Sequence, residues 1–106
     1  MEHYEVPIRW LAPETMTHKF YTLATDVWSY GIMLWEFFAD GNEPYPGLTS
    51  MEVMRKVGFE GYKMSAPSGT PVAVEVVMIK CWEHQPAQRP NFVQIRQELE
   101  SILKKM

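Results

Sequence analysis

The sequence has one cysteine, no long apolar run, no excess of positive charge and no cluster of glycines. Each shortage removes a class of protein. A lone thiol, Cys81, leaves no internal disulfide and is compatible with a reducing compartment. The longest apolar stretch, Tyr30 to Ala39, is interrupted by Gly31 and Glu36. It is about half the length a membrane span needs, so no transmembrane helix is expected. Ten Lys and Arg stand against 13 Asp and Glu, a net charge of −3. Phosphate contact calls for a basic surface, so nucleic acid is not an expected partner. The six glycines are scattered and form no phosphate-cradling loop. His3, His18 and His84 have no metal-ligand spacing to one another or to Cys81, so no metal site is expected. There is no Gly-x-Ser-x-Gly nucleophile motif. Met1 to Glu5 is polar and acidic, unlike a signal peptide.

What is present fits one globular domain. The 106 residues are 46% hydrophobic and 22% charged, too apolar for a disordered tail. Proline and glycine cut the chain into helix-length pieces. Residues 13–18 suit a short helix opened by Pro13. Residues 25–39 are apolar on nearly every face, which predicts a helix enclosed by protein, with Thr25 as its N-cap. Thr49 and Glu52 have capping-box spacing before a helix over 50–57, which Gly58 would end. Residues 71–83 are ambiguous: Val72, Val74 and Val76 alternate like a strand, while Val74, Met78 and Cys81 share a helical face. Helix is the favoured reading. Asn91 and Gln94 open a further helix over 92–104, where Phe92, Ile95, Leu99, Ile102 and Leu103 form one apolar stripe. Glu100 and Lys104 are spaced as an i,i+4 pair. Trp28, Trp35 and Trp82 are assigned to the core, and so is Cys81, as a small hydrophobe. The fold class is all-α.

One segment carries more than fold information. Val6-Pro7-Ile8-Arg9-Trp10-Leu11-Ala12-Pro13-Glu14 contains Ala-Pro-Glu, the tripeptide that closes the activation segment of protein kinases. Asp26-Val27-Trp28-Ser29-Tyr30-Gly31 and Leu34-Trp35-Glu36 follow, then Pro44-Tyr45-Pro46-Gly47, then Cys81-Trp82, Pro86, Arg89, Pro90 and Phe92. In this order and spacing, residues 6–104 resemble the C-terminal portion of the C-lobe of a protein tyrosine kinase catalytic domain. The tyrosine branch is suggested by Pro7-Ile8-Arg9-Trp10 and by Cys81-Trp82.

The resemblance implies the helical subdomain of the protein-kinase-like fold, a central apolar helix surrounded by shorter ones. Residues 1–106 would be a partial kinase domain without the N-lobe, catalytic loop or metal-binding motif. It implies that Val6, Pro7, Ile8, Arg9 and Trp10 bind substrate. A proline there offers a rigid apolar platform for a phenol ring, at a depth set by Trp10. It implies an ion pair between Glu14 and Arg89, and a role for Asp26 as the anchor of the catalytic loop. Read from the residues alone, Asp26 charge-stabilises a helix start and Glu14 and Arg89 are solvated charges. Tyr4 is either a plain exposed tyrosine or a phosphorylation site.

The implied function is that of part of an enzyme that moves the ATP γ-phosphate to protein tyrosine. The glycine-rich loop, the strand lysine with its helix glutamate, His-Arg-Asp and Asp-Phe-Gly are all missing from this sequence. The chain alone is therefore expected to be inactive, with no catalytic, cofactor-binding or metal residue of its own. ATP and magnesium belong to the full family domain. Expected partners are tyrosine-containing protein substrates and the missing N-terminal part of the domain. The expected location is the cytoplasm, or the cytoplasmic side of a membrane receptor. The alternative is a non-catalytic binding or regulatory module derived from a kinase C-lobe.

Overall fold

The computed structural model describes residues 8–105. Among them are five α-helices, two 3-10 turns and no strand: a 3-10 turn at Ile8–Trp10, α1 (Pro13–His18), α2 (Leu23–Phe38), α3 (Ser50–Phe59), α4 (Val72–Cys81), a 3-10 turn at Pro86–Gln88, and α5 (Phe92–Lys104). The helix α2 is the centre. It packs against α4 and both 3-10 turns, α5 packs on α4, and α1 packs on α3. No helix among the described residues is long and apolar enough to cross a membrane.

Local chemistry explains the starts of α3 and α5. The Thr49 hydroxyl accepts the Glu52 amide at 3.1 Å, and Glu52 returns the bond to the Thr49 amide at 2.8 Å. Asn91 and Gln94 make the same reciprocal pair at 2.8 and 2.9 Å. Each box satisfies two amides that a helix start would leave without partners. Three sequence expectations need correction. Thr25 is not the N-cap of α2; the cap is Thr22, and the Thr25 hydroxyl accepts the Thr22 amide from the third helical position. Gly58 does not end α3, which continues to Phe59. A Cβ at Gly58 would lie 3.4 Å from Thr17 Cγ2 and 3.5 Å from Met16 Cβ, ordinary van der Waals contact, so this glycine sits in the α1–α3 interface without a steric demand for glycine. On α5, Glu100 pairs with Arg96 at 2.8 Å rather than with Lys104.

The core draws Val27, Trp28, Ile32 and Trp35 from α2, Val53 and Val57 from α3, and Val74, Val77, Met78 and Cys81 from α4. Trp82, Tyr45, Met64, Ile95, Ala12 and Ala39 complete it. The valine alternation in α4 has a simple origin: Val72, Val76 and Ile79 face outward while Val74, Val77 and Met78 face inward, so the helix is apolar on both sides. Burial pushes the Cys81 thiol up to about 12, with Glu98 adding to the effect and Arg89 opposing it, so it stays protonated and unreactive. The helix α2 is enclosed on one side only. Leu23, Met33 and Phe37 are exposed on a shared face with half-buried Tyr30.

Of the described glycines, Gly31 leaves the least room for a side chain, where α2 meets the end of α4. A Cβ on Gly31 would sit 2.6 Å from Trp82 Nε1 and 2.7 Å from Cys81 Cβ. Both neighbours are buried and neither is the far end of a flexible chain. Alanine would gain about 1 kcal/mol of helix propensity but would force two helices apart, and overpacking of this kind costs about 1–3 kcal/mol. We expect Gly31→Ala to lower the urea midpoint. An unchanged or raised midpoint would show that the α2–α4 contact is looser than described.

Candidate functional site

The site is a turn held against a helical platform. The 3-10 turn at Ile8–Trp10 precedes α1, and the Leu11 amide closes it on the Ile8 carbonyl at 3.1 Å. Its side chains go in different directions. Trp10 Nε1 donates to Glu36 Oε1 of α2 at 2.7 Å. The Ser29 hydroxyl, also on α2, donates to the Trp10 carbonyl at 2.8 Å. Arg9 turns the other way, into the loop between α2 and α3. Its Nη1 donates to the carbonyls of Pro44 and Tyr45 at 3.0 and 3.3 Å, and its Nη2 to that of Leu48 at 2.6 Å. An exposed carboxylate, Glu43, lies 3.5 Å from Nε. Val6, Pro7 and Tyr4 lie outside the described residues.

The helix that follows the turn, α1, is tied to a buried guanidinium. Arg89 follows the second 3-10 turn, and its side chain is fully inaccessible. Its Nη1 donates to Glu14 Oε2 at 2.7 Å and to the Ala24 carbonyl at 2.9 Å. Its Nη2 donates to Glu14 Oε1 at 2.8 Å and to the His84 carbonyl at 3.3 Å. Its Nε donates to the Glu83 carbonyl at 2.8 Å. These bonds use every donor the group has. The guanidinium also lies over the Trp28 ring, 5.1 Å from its centroid, within cation–π range. The structure thus brings Glu14 and Arg89 together across 75 residues of sequence.

Glu14 is completed by Thr25, whose hydroxyl donates to Oε2 at 3.0 Å. Burial works to raise the Glu14 pKa. The Arg89 hydrogen bonds, its own backbone amide, the Arg89 charge and Thr25 outweigh that and hold it below the ordinary carboxylate value. Asp26 is placed apart from this pair. It is half-buried in the first turn of α2, where a negative charge suits the helix N-terminus, and it accepts a hydrogen bond from the Tyr21 hydroxyl.

Four functional residues escaped the sequence reading: Thr25 as a support for Glu14, Trp28 as the floor under Arg89, and Ser29 and Glu36 as holders of the turn. Glu36 carried a signal that could have found it. It is the one charged residue between Val27 and Ala39, and an acid on such an apolar helix needs a donor.

A central helix packed by shorter helices, with a turn clamped in front of Ala-Pro-Glu and a buried arginine tied to its glutamate, is the architecture of a kinase C-lobe. Residues 1–99 match the family described as protein tyrosine and serine/threonine kinase, and the chain belongs to that family, as part of a tyrosine kinase domain. It is 43% identical over 102 residues to tyrosine-protein kinase Fer from Rattus norvegicus, covering 96% of this chain and 12% of that protein. It is 45% identical over 96 residues to Fer-related kinase 1 from Caenorhabditis elegans, covering 90% of this chain and 25% of the other. Ephrin type-A receptor 1 from Mus musculus is 39% identical over 99 residues, 93% of this chain and 10% of the receptor. The chain therefore spans a quarter or less of the length of these relatives.

Arg89→Leu would strand the Glu14 carboxylate and open three backbone carbonyls. Loss of one partner from a buried pair costs about 3–5 kcal/mol, and a drop of that size in unfolding free energy is expected by urea titration. The pH dependence has a definite sign. The folded pKa of Glu14 is depressed, so its contribution is full above the unfolded value near 4.5 and fades as pH falls through the lower folded value. Glu14→Gln removes that part of the acid-side slope, which stability measured from pH 7 down to pH 3 will show.

Proposed function

We propose that this chain is the substrate-seating and scaffolding portion of a protein tyrosine kinase that transfers the ATP γ-phosphoryl group to tyrosine in protein substrates. The observation that carries the reading is the fixed turn at Ile8–Trp10. Helix α2 and the α2–α3 loop hold it by hydrogen bonds, and it stands directly before Ala-Pro-Glu in a chain of the kinase family. In this reading, residues 6–10 form a shelf on which a tyrosine and the residue after it lie, and the Glu14–Arg89 pair fixes the height of that shelf. Asp26, at the start of α2, receives the catalytic loop, with the Tyr21 hydroxyl as its present partner.

The chemistry itself is assigned elsewhere. Among the described residues, no three His, Cys, Asp or Glu side chains stand close enough to hold a metal ion, and the glycines form no phosphate loop. ATP and magnesium, which the kinase family implies for the full domain, we assign to the upstream half. The exposed apolar face of α2, with Leu23, Met33 and Phe37, is the surface on which that half rests. The parent enzyme works on the cytoplasmic side, where ATP is available. The same apolar face is what a non-catalytic binding module would use, and the experiment separates the two readings.

The test is a graft. This chain replaces the 102-residue matching segment of rat tyrosine-protein kinase Fer, with which it is 43% identical. The graft is expected to phosphorylate a tyrosine peptide with kcat/KM within about tenfold of the parent, a loss of about 1.4 kcal/mol at most in transition-state binding. The isolated chain is expected to incorporate no phosphate. A graft that melts like the parent yet has lost activity would overturn the seating role. Phosphate transfer by the isolated chain would overturn the division of labour.

A further inference from the structure

We infer that the Arg9 side chain is a positioning group that sets the seating turn through the α2–α3 loop and itself makes no contact with substrate, only the backbone of Arg9 belonging to the shelf. Its place in the turn suggests a cation offered to an incoming peptide, but the geometry points inward. The side chain is only 12% exposed, and two of its nitrogens are taken by the carbonyls of Pro44, Tyr45 and Leu48. Carbonyls that converge on one point leave a concentrated negative potential, and a planar guanidinium fork can bridge all three.

The loop needs this grip. Tyr45 has a φ of 55°, a left-handed conformation that residues with a side chain seldom adopt, and Gly47 follows with a φ of 83°. Tyr45 is nonetheless buried, with its amide 3.1 Å from Met64 Sδ, and the Leu48 amide bonds back to the Tyr45 carbonyl at 3.1 Å. A chain segment in a disfavoured conformation persists when its surroundings over-determine it. Arg9 supplies three of those constraints from 35 to 39 residues away. The coupling runs both ways: the loop fixes Arg9, and Arg9 fixes the turn on which Ile8 and Trp10 stand. Lysine, a point charge with three donors on a flexible stem, cannot reproduce the fork.

The structural half of this inference is independent of the seating proposal, while its effect on substrate rests on it, so two readouts are needed. The first is hydrogen exchange in the isolated 106-residue chain. Arg9→Lys and Arg9→Met are both expected to speed exchange of the Tyr45 and Leu48 amides by about tenfold or more while leaving α5 amides unchanged. Unchanged exchange at Tyr45 and Leu48 would overturn the clamp whatever the activity shows. The second readout uses the Fer graft and two tyrosine peptides that differ only in Glu or Ala after the tyrosine. Arg9→Lys is expected to raise KM for both peptides by the same factor, about threefold or more, with KM for ATP unchanged. A Glu-to-Ala preference that shifts by more than about fivefold would mean that Arg9 touches substrate, and would overturn the inference. An inactive wild-type graft would defeat the seating proposal and leave the exchange result to decide the clamp.

Discussion

One buried cation organises this structure. Removing an arginine from water is costly unless every donor is satisfied, and Arg89 meets that condition with partners from three different places. Glu14 comes from α1, the Ala24 carbonyl from the first turn of α2, and the Glu83 and His84 carbonyls from the segment just past α4. These elements cannot be moved independently without leaving a buried charge short of a bond. A cation just beyond the last turn of α4 also suits the negative end of that helix, and the Trp28 face supplies the remaining contact. The position of α1 follows from this, and the turn before α1 follows in turn.

The turn at Ile8–Trp10 is then fixed from both sides by two opposite uses of charge. Glu36 is an acid on an apolar helix and is satisfied by one indole N–H at 2.7 Å. Arg9 is a cation, largely covered, set among backbone carbonyls. Ser29 adds a bond to the Trp10 carbonyl between them. Such polar contacts add little to net stability, but they are directional. They select one arrangement of a turn that apolar packing alone would leave loose. The contrast with the open face of α2 is physical: Leu23, Met33 and Phe37 have no polar atom to direct them and remain in solvent.

The parts of this fold that were legible in the sequence are those governed by neighbours a few residues apart. The boxes at Thr49 and Asn91 work through bonds three residues long, so α3 and α5 start where they were expected. The start of α2 was misplaced because Thr22 and Thr25 are both acceptable caps, and the choice was made by Glu14, which holds the Thr25 hydroxyl from eleven residues away. Gly58 looked like a helix stop because local propensity treats glycine that way, but it lies inside α3, where the helix packs against Met16 and Thr17 of α1. The direction of Arg9 could not be read at all. A 3-10 turn of three residues has no useful periodicity, and the carbonyls that turn Arg9 inward belong to a loop far along the chain.

The most direct test of the account is a double-mutant cycle on Glu14 and Arg89, with Glu14→Gln, Arg89→Met and the double variant unfolded by urea at pH 7. Residues that act as one buried unit should show a coupling energy near the top of the usual range of about 0.5–3 kcal/mol. Losses that add to within about 0.5 kcal/mol would mean the two groups are separately solvated. The claim that Arg89 sets the position of α1 and of the turn before it would then be wrong.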